Sequence, residues 1–175
     1  MRRFTILISC LAALSACKQK AADSNSADTY KATSGTFHAV LMPVDEADLV
    51  EWDKPENEGP IIQFKKRATC GDKVALKIIF SGMGLTDENV IDVTYDIEVL
   101  SPDGTPYSGG VHKDVPALQG VVLKPNNIFN NQGVLTLRFE PEDQIGRYDI
   151  TAAVRDNIDN HELILKQSIE LGDCG

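Results

Sequence analysis

Alternating apolar and polar residues predict several β-strands along this chain. Every second residue is apolar in residues 74–80 and again in residues 148–154, which is the period of a strand with one buried face. Clusters of Gly, Pro, Asn and Asp separate such segments and mark turns. Shorter or less regular segments complete the predicted set: residues 36–42, 60–64, 90–100, 115–123, 133–139 and 163–171.

Seven or eight short strands at this spacing predict an all-β fold, either a two-sheet antiparallel sandwich or a barrel. One short helix is expected at residues 45–52, which begin with acidic residues and have suitable apolar spacing. Pro43 is expected to end the strand before that helix. Residues 105–131 are predicted to be largely loop, with a strand only in their second half.

The N-terminus has the layout of a secretory signal peptide. Arg2 and Arg3 supply a positive start, and residues 6–14 form an apolar run that small residues follow. A run of about nine apolar residues is too short to span a bilayer, which needs about 20. The segment therefore predicts export rather than a permanent transmembrane helix.

Residues 14–17, Leu-Ser-Ala-Cys, resemble the lipobox of bacterial lipoproteins. The resemblance implies a diacylglycerol on the Cys17 thiol and cleavage just before it, whereas the alternative is an ordinary signal peptide cleaved nearby. The domains predicted are a signal at 1–16, a lipidated Cys with a flexible tether at 17–35, and one domain at 36–175. The tether is predicted because its small and polar residues cannot bury a core. By the same resemblance, Lys18 implies sorting to the outer membrane, facing the periplasm.

Charge narrows the range of partners. The chain has 17 basic and 26 acidic residues, and loss of Arg2 and Arg3 with the signal would deepen the net charge of −9 to about −11. Nucleic-acid binding wants a basic face, and anionic lipid surfaces attract basic segments. Neither class of partner is expected, and solubility is a simpler explanation of the acidity than an acidic binding face.

Two cysteines, Cys70 and Cys174, remain after the signal and the lipid site are set aside. The exported compartment is oxidising, so a disulfide between them is predicted. It would close a loop of about 100 residues and contribute about 4 to 5 kcal/mol in the chain-entropy model. A zinc site is the competing interpretation. Zinc needs about four ligands at short spacings, whereas the histidines are far apart in sequence: His38, His112 and His161. No metal or cofactor is therefore expected.

Asp143, Gly146 and Tyr148 form an Asp-x-x-Gly-x-Tyr pattern directly before a predicted strand. The pattern resembles the tyrosine corner of immunoglobulin-like sandwiches, in which the Tyr hydroxyl bonds back to the backbone just upstream. No Cys follows Tyr148 two residues later, so the resemblance is to the broad Ig-like class rather than to antibody domains. The implied role is structural.

A wider resemblance extends over most of the predicted domain. The matching segments are similar, in order, to a group of uncharacterised proteobacterial secreted proteins, which implies an envelope location and no known activity. That group often has a Cys pair near positions 83 and 91, where this chain has Met83 and Ile91; Cys70 and Cys174 would then replace that pair. The matching segments are residues 42–45 with Trp52 and Pro55, then 80–82, 102–104, 138–148 and 154–156.

The sequence offers only weak candidates for catalytic or metal-binding residues. The chain has no Gly-x-Ser-x-Gly elbow. Glu140 and Glu142 could pair for sugar cleavage, although a surface turn explains them better. An acidic cluster could bind a cation but lacks the order of a calcium loop: Asp45, Glu46, Asp48, Glu51 and Asp53. Trp52 is expected to pack against the sandwich, with an exposed interface anchor as its alternative.

The sequence therefore predicts a lipid-anchored, non-enzymatic binding module of the cell envelope. Its partners are expected to be the membrane, through the lipid, and another envelope protein, with the domain itself monomeric. The alternative is an immunity or inhibitor lipoprotein that neutralises a periplasmic toxin or enzyme, since tethering, small size and acidity also suit that role. An enzyme acting on carbohydrate or peptidoglycan is the third and weakest hypothesis.

Overall fold

The computed structural model describes residues 29–54, 61, 63–124 and 126–173. Within these residues the chain forms ten strands and one short 3-10 helix, Glu46–Asp53. The strands are β1 Lys31–Ser34, β2 Phe37–Asp45, β3 Arg67–Ala68, β4 Lys73–Ser81, β5 Val90–Leu100, β6 Pro106–Val121, β7 Phe129–Asn130, β8 Leu135–Arg138, β9 Gly146–Asp156 and β10 His161–Leu171.

The strands form two sheets, each with five members. The first sheet has the order β1-β2-β4, and both β7 and β8 pair with the second edge of β4. The second sheet has the order β3-β10-β9-β5-β6. Every pairing is antiparallel except that of β3 with β10, which is parallel. The predicted all-β sandwich with one short helix near its N-terminus is confirmed.

The core lies between the two sheets and is built from alternate residues of the long strands. In β5 and β9 every second side chain is buried, as their sequence period requires. Fully burying one large apolar side chain contributes roughly 1.5 to 3 kcal/mol. The largest fully buried side chains include Phe37, Leu41, Ile78, Phe80, Tyr95, Phe139, Tyr148 and Leu165.

The prediction that Pro43 ends the first strand is wrong. Pro43 lies inside β2, opposite Leu76 of β4. Where β1 no longer pairs with β2, the backbone of β2 forms isolated hydrogen bonds on that side. The Leu41 N–H donates to the Tyr30 carbonyl, and the Pro43 carbonyl accepts from the Lys65 N–H. Residues 41 and 43 therefore direct their backbone groups away from β4, where the missing N–H of a proline costs no ladder bond.

The ordered domain begins earlier than the predicted boundary at residue 36. β1 lies within residues 17–35, the predicted tether, and pairs with β2 through a tight turn at Gly35. Its side chains alternate between exposed and half-buried, and none is fully buried. Its sequence therefore has no alternation of apolar residues that would predict a strand. The predicted flexible tether is therefore wrong for residues 31–34. Most of the remaining tether, with the signal and Cys17, lies outside the described residues.

Two further segment predictions differ from the structure. The strand expected at 60–64 is not formed by residues 61, 63 and 64, which are irregular; residues 60 and 62 are not described. By contrast, β6 runs for 16 residues through a segment predicted to be mostly loop. β6 is an edge strand with both faces largely exposed, so its residues need no apolar alternation.

Asn131 lies between β7 and β8, and its side chain hydrogen-bonds to the stretch of β4 that neither strand covers. Its side chain is fully buried; its Oδ1 accepts from the Ile78 N–H at 2.9 Å, and its Nδ2 donates to the carbonyl oxygens of Leu76 and Gly133. These side-chain bonds satisfy backbone groups that a continuous strand would otherwise pair. No helix among the described residues is long and apolar enough to cross a membrane.

Candidate functional site

A cleft of about 730 Å³ opens between the start of the 3-10 helix and the irregular segment before β3. Asp45 and Asp48 line the helix side, and residues 63–67 line the other side. We refer to it as the β2 cleft, because it follows the edge of β2 that β1 leaves open. Two smaller cavities, of about 160 and 170 Å³, lie on the second sheet.

Backbone bonds to both sheets hold one wall of the β2 cleft. The Lys65 N–H donates to the Pro43 carbonyl at 2.7 Å, and the Lys66 carbonyl accepts from the Glu170 N–H at 2.9 Å. The Phe64 ring packs edge-on against Tyr30, with ring centroids 5.6 Å apart. The segment therefore bridges the sandwich at one edge, although it forms no strand itself before Arg67.

A three-residue ion network lies at the base of the cleft. The Lys65 ammonium group lies 2.5 Å from Asp45 Oδ2 and 3.2 Å from Asp72 Oδ2. The Lys65 hydrogen bond, followed by one from the Ala47 N–H, lowers the pKa of Asp45. Partial burial alone would lower the pKa of Lys65, but the bonds to Asp45 and Asp72 outweigh it and raise that pKa. The network therefore stays charged and fixes Lys65.

Lys66 and Arg67 are the cations of the cleft that remain available to a ligand. Both side chains are exposed, and neither forms an ion pair with another described residue. Phe64 is 36% exposed beside them. Two unpaired cations next to an aromatic side chain suit a ligand that has both negative charge and apolar surface. In a chain with a net charge of −9, this wall of the cleft is locally basic, whereas Asp45 and Asp48 lie on the opposite side.

The predicted tyrosine corner has the expected geometry. The Tyr148 hydroxyl donates to the Gln144 carbonyl at 2.9 Å, and Gly146 has φ +134°, a backbone conformation that favours glycine. Asp143 accepts from the Glu140 N–H at 2.7 Å and lies 2.7 Å from the Tyr107 hydroxyl. The three motif residues are thus brought together at one turn, in a structural role.

Cys70 lies half-buried in the turn after β3, with its Sγ 3.4 Å from the Glu140 carbonyl oxygen. Cys174 and Cys17 both lie outside the described residues. Their pairing and lipidation therefore stay predictions.

Trp52 is half-buried on the 3-10 helix and lies over Lys77, whose ammonium group is 5.3 Å from the centre of the indole ring. Its indole N–H is enclosed without a hydrogen-bond partner among the described residues. This environment favours the packing role over an exposed interface anchor.

The acidic cluster divides into separate contacts rather than converging on one point. Asp45 caps the helix and binds Lys65, Glu46 binds Lys73 at 2.9 Å, and Glu51 binds Lys54 at 2.6 Å. The side chain of Asp53 is not described. The other paired carboxylates, Glu140 and Glu142, lie in a surface turn, where Glu140 binds Arg138 at 2.9 Å. These contacts favour the surface interpretations of both groups.

Each of the three histidines makes its own local contacts. His38 contacts the Thr33 hydroxyl at 2.8 Å, and His112 contacts the Gly109 carbonyl at 2.8 Å; both are exposed. His161 is half-buried beside Asp156 and Asp159, two acidic residues of its own hairpin.

Sequence reasoning missed the wall of the β2 cleft. The run Lys65-Lys66-Arg67 is visible in the sequence as the only three consecutive basic residues, and in so acidic a chain it was a usable signal. Asp72 was missed as well. Its contact with Lys65 depends on the fold, so no local pattern predicts it.

No family model matches this chain, and no curated protein matches it. Among solved structures it is similar to a family 123 glycoside hydrolase from Clostridium perfringens, with 13% identity and a TM-score of 0.48 over 79% of this chain. The chain spans only 28% of that hydrolase. It is also similar to a Niemann-Pick type C2 protein from the Japanese carpenter ant, with 9% identity and a TM-score of 0.34 over 84% of this chain and 96% of that one.

A third similarity is to an AA10 lytic polysaccharide monooxygenase from Streptomyces lividans, with 9% identity and a TM-score of 0.28 over 67% of this chain and 63% of that one. With every TM-score below 0.5, these three likenesses carry no inference about activity or ligand.

Proposed function

We propose that this protein is a lipid-anchored binding module of the bacterial envelope, and that the β2 cleft receives an acidic segment of a partner protein. The anchor rests on the lipobox-like residues ending at Cys17. The binding role rests on one observation above all: Lys66 and Arg67 stand exposed and unpaired among the described residues, beside the Phe64 ring at the mouth of the β2 cleft.

Charge supports an acidic segment as the occupant. Lys65 is neutralised by Asp45 and Asp72, so a ligand meets the positive charges of Lys66 and Arg67 on one wall and the single negative charge of Asp48 on the other. Carboxylates bind guanidinium and ammonium groups through short charge-assisted hydrogen bonds. Apolar side chains on either side of such a carboxylate would pack on Phe64, which adds contact area to charge.

Site-specific photocrosslinking in the native envelope tests the cleft directly. A photoreactive side chain at Gln63, an uncharged position in the lining, should capture a defined partner, while one at Glu98, on the exposed outer face of β5, should not. The double reversal Lys66→Glu with Arg67→Glu should abolish capture. The matched control, Lys113→Glu with Lys166→Glu, changes charge equally away from the cleft and should preserve it.

The identity of the partner separates the two binding hypotheses. A subunit of an envelope assembly supports the adaptor role, whereas a toxin or hydrolase supports the immunity role. Equal capture from Gln63 and Glu98, or capture that survives the double reversal, would refute the β2 cleft as the contact surface.

Lipidation is tested separately from the cleft. Cells fed an alkyne analogue of palmitate should label the protein, the Cys17→Ser change should remove the label, and the Cys10→Ser change should keep it. Labelling that is absent from the unaltered chain would identify an ordinary signal peptide instead.

A further inference from the structure

Three turns converge at one end of the sandwich, remote in sequence from the β2 cleft. They are the β1–β2 turn at Gly35, the segment after β4 at Gly84, and the β9–β10 hairpin. The hairpin supplies Asp156, Asp159 and His161, and one ligand atom from each of them lies within 4.8 Å of the other two. Asp156 and His161 are cross-strand partners, so the hairpin itself fixes their spacing.

Asp156 is a buried carboxylate without a full countercharge. Its side chain is 1% exposed, and its oxygens accept only from backbone N–H groups, of which Gly84 at 2.7 Å and Ile158 at 3.1 Å are the shortest. Among the described residues, its only ion-pair contact is with His161. Removing a carboxylate from water costs free energy that a bound cation would offset.

His161 directs a nitrogen toward this carboxylate at a distance that no hydrogen bond explains. Its Nδ1 is buried, has no hydrogen-bond partner among the described residues, and lies 3.9 Å from Asp156 Oδ2. Two ligands on one tetrahedral zinc ion lie about 3.3 to 3.6 Å apart, since each bond is roughly 2.0 to 2.2 Å. The two atoms are therefore about 0.5 Å too far apart to share an ion as they stand, and a small rotation of the half-buried imidazole would close that difference.

Asp159 completes the group because position 84 is a glycine. A Cβ at Gly84 would lie 2.6 to 2.9 Å from the Asp159 carboxylate, so the missing side chain lets this carboxylate approach the hairpin. Asp159 is exposed and lies in the turn, so its side chain can move the short distance that metal binding requires.

We propose that Asp156, Asp159 and His161 form a binding site for a divalent transition-metal ion, best suited to zinc. Imidazole nitrogen favours zinc over calcium and magnesium, and two carboxylates neutralise its charge. With three protein ligands, the fourth position is left to solvent or to a ligand from outside. This site is independent of the proposed partner cleft, and either can fail without the other.

The test is zinc titration of the untagged, full-length chain by calorimetry, with the melting temperature followed at increasing zinc. We expect one zinc ion per chain and a melting temperature that rises with zinc. His161→Gln and Asp159→Asn should each weaken zinc binding by about tenfold or more. Gly84→Ala should weaken it too, by displacing Asp159. The matched controls, His112→Gln and Asp48→Asn, should bind as the unaltered chain does.

Several results would overturn the proposal. Zinc binding that survives both His161→Gln and Asp159→Asn would place the ion elsewhere, and an absence of saturable binding would leave His161 as an ordinary partner of Asp156. Displacement of zinc by equimolar calcium would exclude a nitrogen ligand. X-ray absorption of the loaded chain supplies a direct readout, since a single imidazole should contribute to the shell at about 2.0 Å. The melting temperatures without zinc show whether each variant is folded.

Discussion

At the scale of single residues, a cluster of three aromatic rings organises the turn before β9. Tyr148 packs against Phe139 and Tyr107, with ring centroids 5.0 and 5.3 Å away, and edge-to-face contacts of this kind add to simple burial. The hydroxyls of both tyrosines donate hydrogen bonds to backbone carbonyl oxygens, Tyr148 to that of Gln144 and Tyr107 to that of Arg138. Each ring therefore joins the core to a surface turn.

Removing the Tyr148 hydroxyl should destabilise the domain modestly. Tyr148→Phe keeps the ring and leaves the Gln144 carbonyl without its donor, so the free energy of unfolding should fall by about 1 kcal/mol. Urea unfolding of the variant measures this loss. Tyr30→Phe is the matched control, because Tyr30 is 38% exposed, and its stability should be unchanged. Equal losses in the two variants would contradict a specific role for the corner.

The ionisation of Asp96 is coupled to folding, because its neighbours lower its pKa. The hydrogen bond from Arg155 at 2.6 Å, followed by one from the Asp114 N–H, lowers its pKa to about 2 from an ordinary 3.8. Because the folded state has the lower pKa, the stabilisation is complete above the ordinary value and is lost as the pH falls towards 2. Asp96 is 23% exposed, so solvent screening limits the effect to about 1 to 2 kcal/mol.

The stability difference between the unaltered chain and Asp96→Asn should therefore depend on pH. Urea unfolding should give a clear difference at pH 6 that shrinks steadily between pH 4 and pH 2. Asp149→Asn removes a more exposed carboxylate, paired with Arg147, and should cost less at pH 6. A difference for Asp96→Asn that stays constant with pH would show that its ionisation is not linked to folding.

At the scale of elements, the edge of β4 depends on one side chain. β7 and β8 cover this edge in two short pieces, and Asn131 fills the space between them by bonding to Ile78, Leu76 and Gly133. A buried polar network of this kind stabilises only while every member is satisfied. Lys77 adds a bond to the Asn131 carbonyl at 3.1 Å, so the backbone here is fixed from both sides.

Asn131→Ala should be among the most damaging polar substitutions in the domain. It leaves the buried Ile78 N–H without its acceptor and opens a cavity, and we expect a loss of about 2 to 4 kcal/mol. Thermal and urea unfolding measure the loss. Gln132→Ala changes an exposed neighbour and should cost little. If both variants unfold alike, the Asn131 bridge does not hold β7 and β8.

The elements that the sequence predicted are those with one buried face. β5, β9 and β10 alternate between buried and more exposed side chains because their inner residues fill the core, and β4 also buries the apolar residues of its inner face. The regular apolar period of residues 74–80 and 148–154 therefore identified β4 and β9 most clearly. β6 was largely missed because an edge strand exposed on both faces has no such period. The β2 cleft was not predicted because only the fold brings its two walls together. The hairpin cluster is close in sequence, but which of its side chains approach one another depends on the pairing of β9 with β10.

At the scale of the whole molecule, the parallel pair of β3 and β10 brings distant parts of the chain together. Glu170 pairs with Arg67 and Leu171 with Ala68, and the Gly172 N–H then donates to the Ala68 carbonyl at 2.9 Å. The chain after β10 thus runs alongside the segment that leads to Cys70. Cys174 follows Asp173 by one peptide bond, and neighbouring strands lie about 4.8 Å apart, within the range of Cα separations that a disulfide spans.

This arrangement supports the prediction that Cys70 and Cys174 are joined, and it gives the bond a mechanical role. The disulfide would tie the end of β10 to the turn after β3, next to the residues that form one wall of the β2 cleft.

Peptide mapping without reduction should recover one peptide pair containing both cysteines, and alkylation should find no free thiol at either. The double variant Cys70→Ser with Cys174→Ser should lose up to about 4 to 5 kcal/mol of stability, because the unfolded chain regains a long loop. A stability equal to that of the unaltered chain, or two free thiols, would show that the sandwich closes this edge through backbone pairing alone.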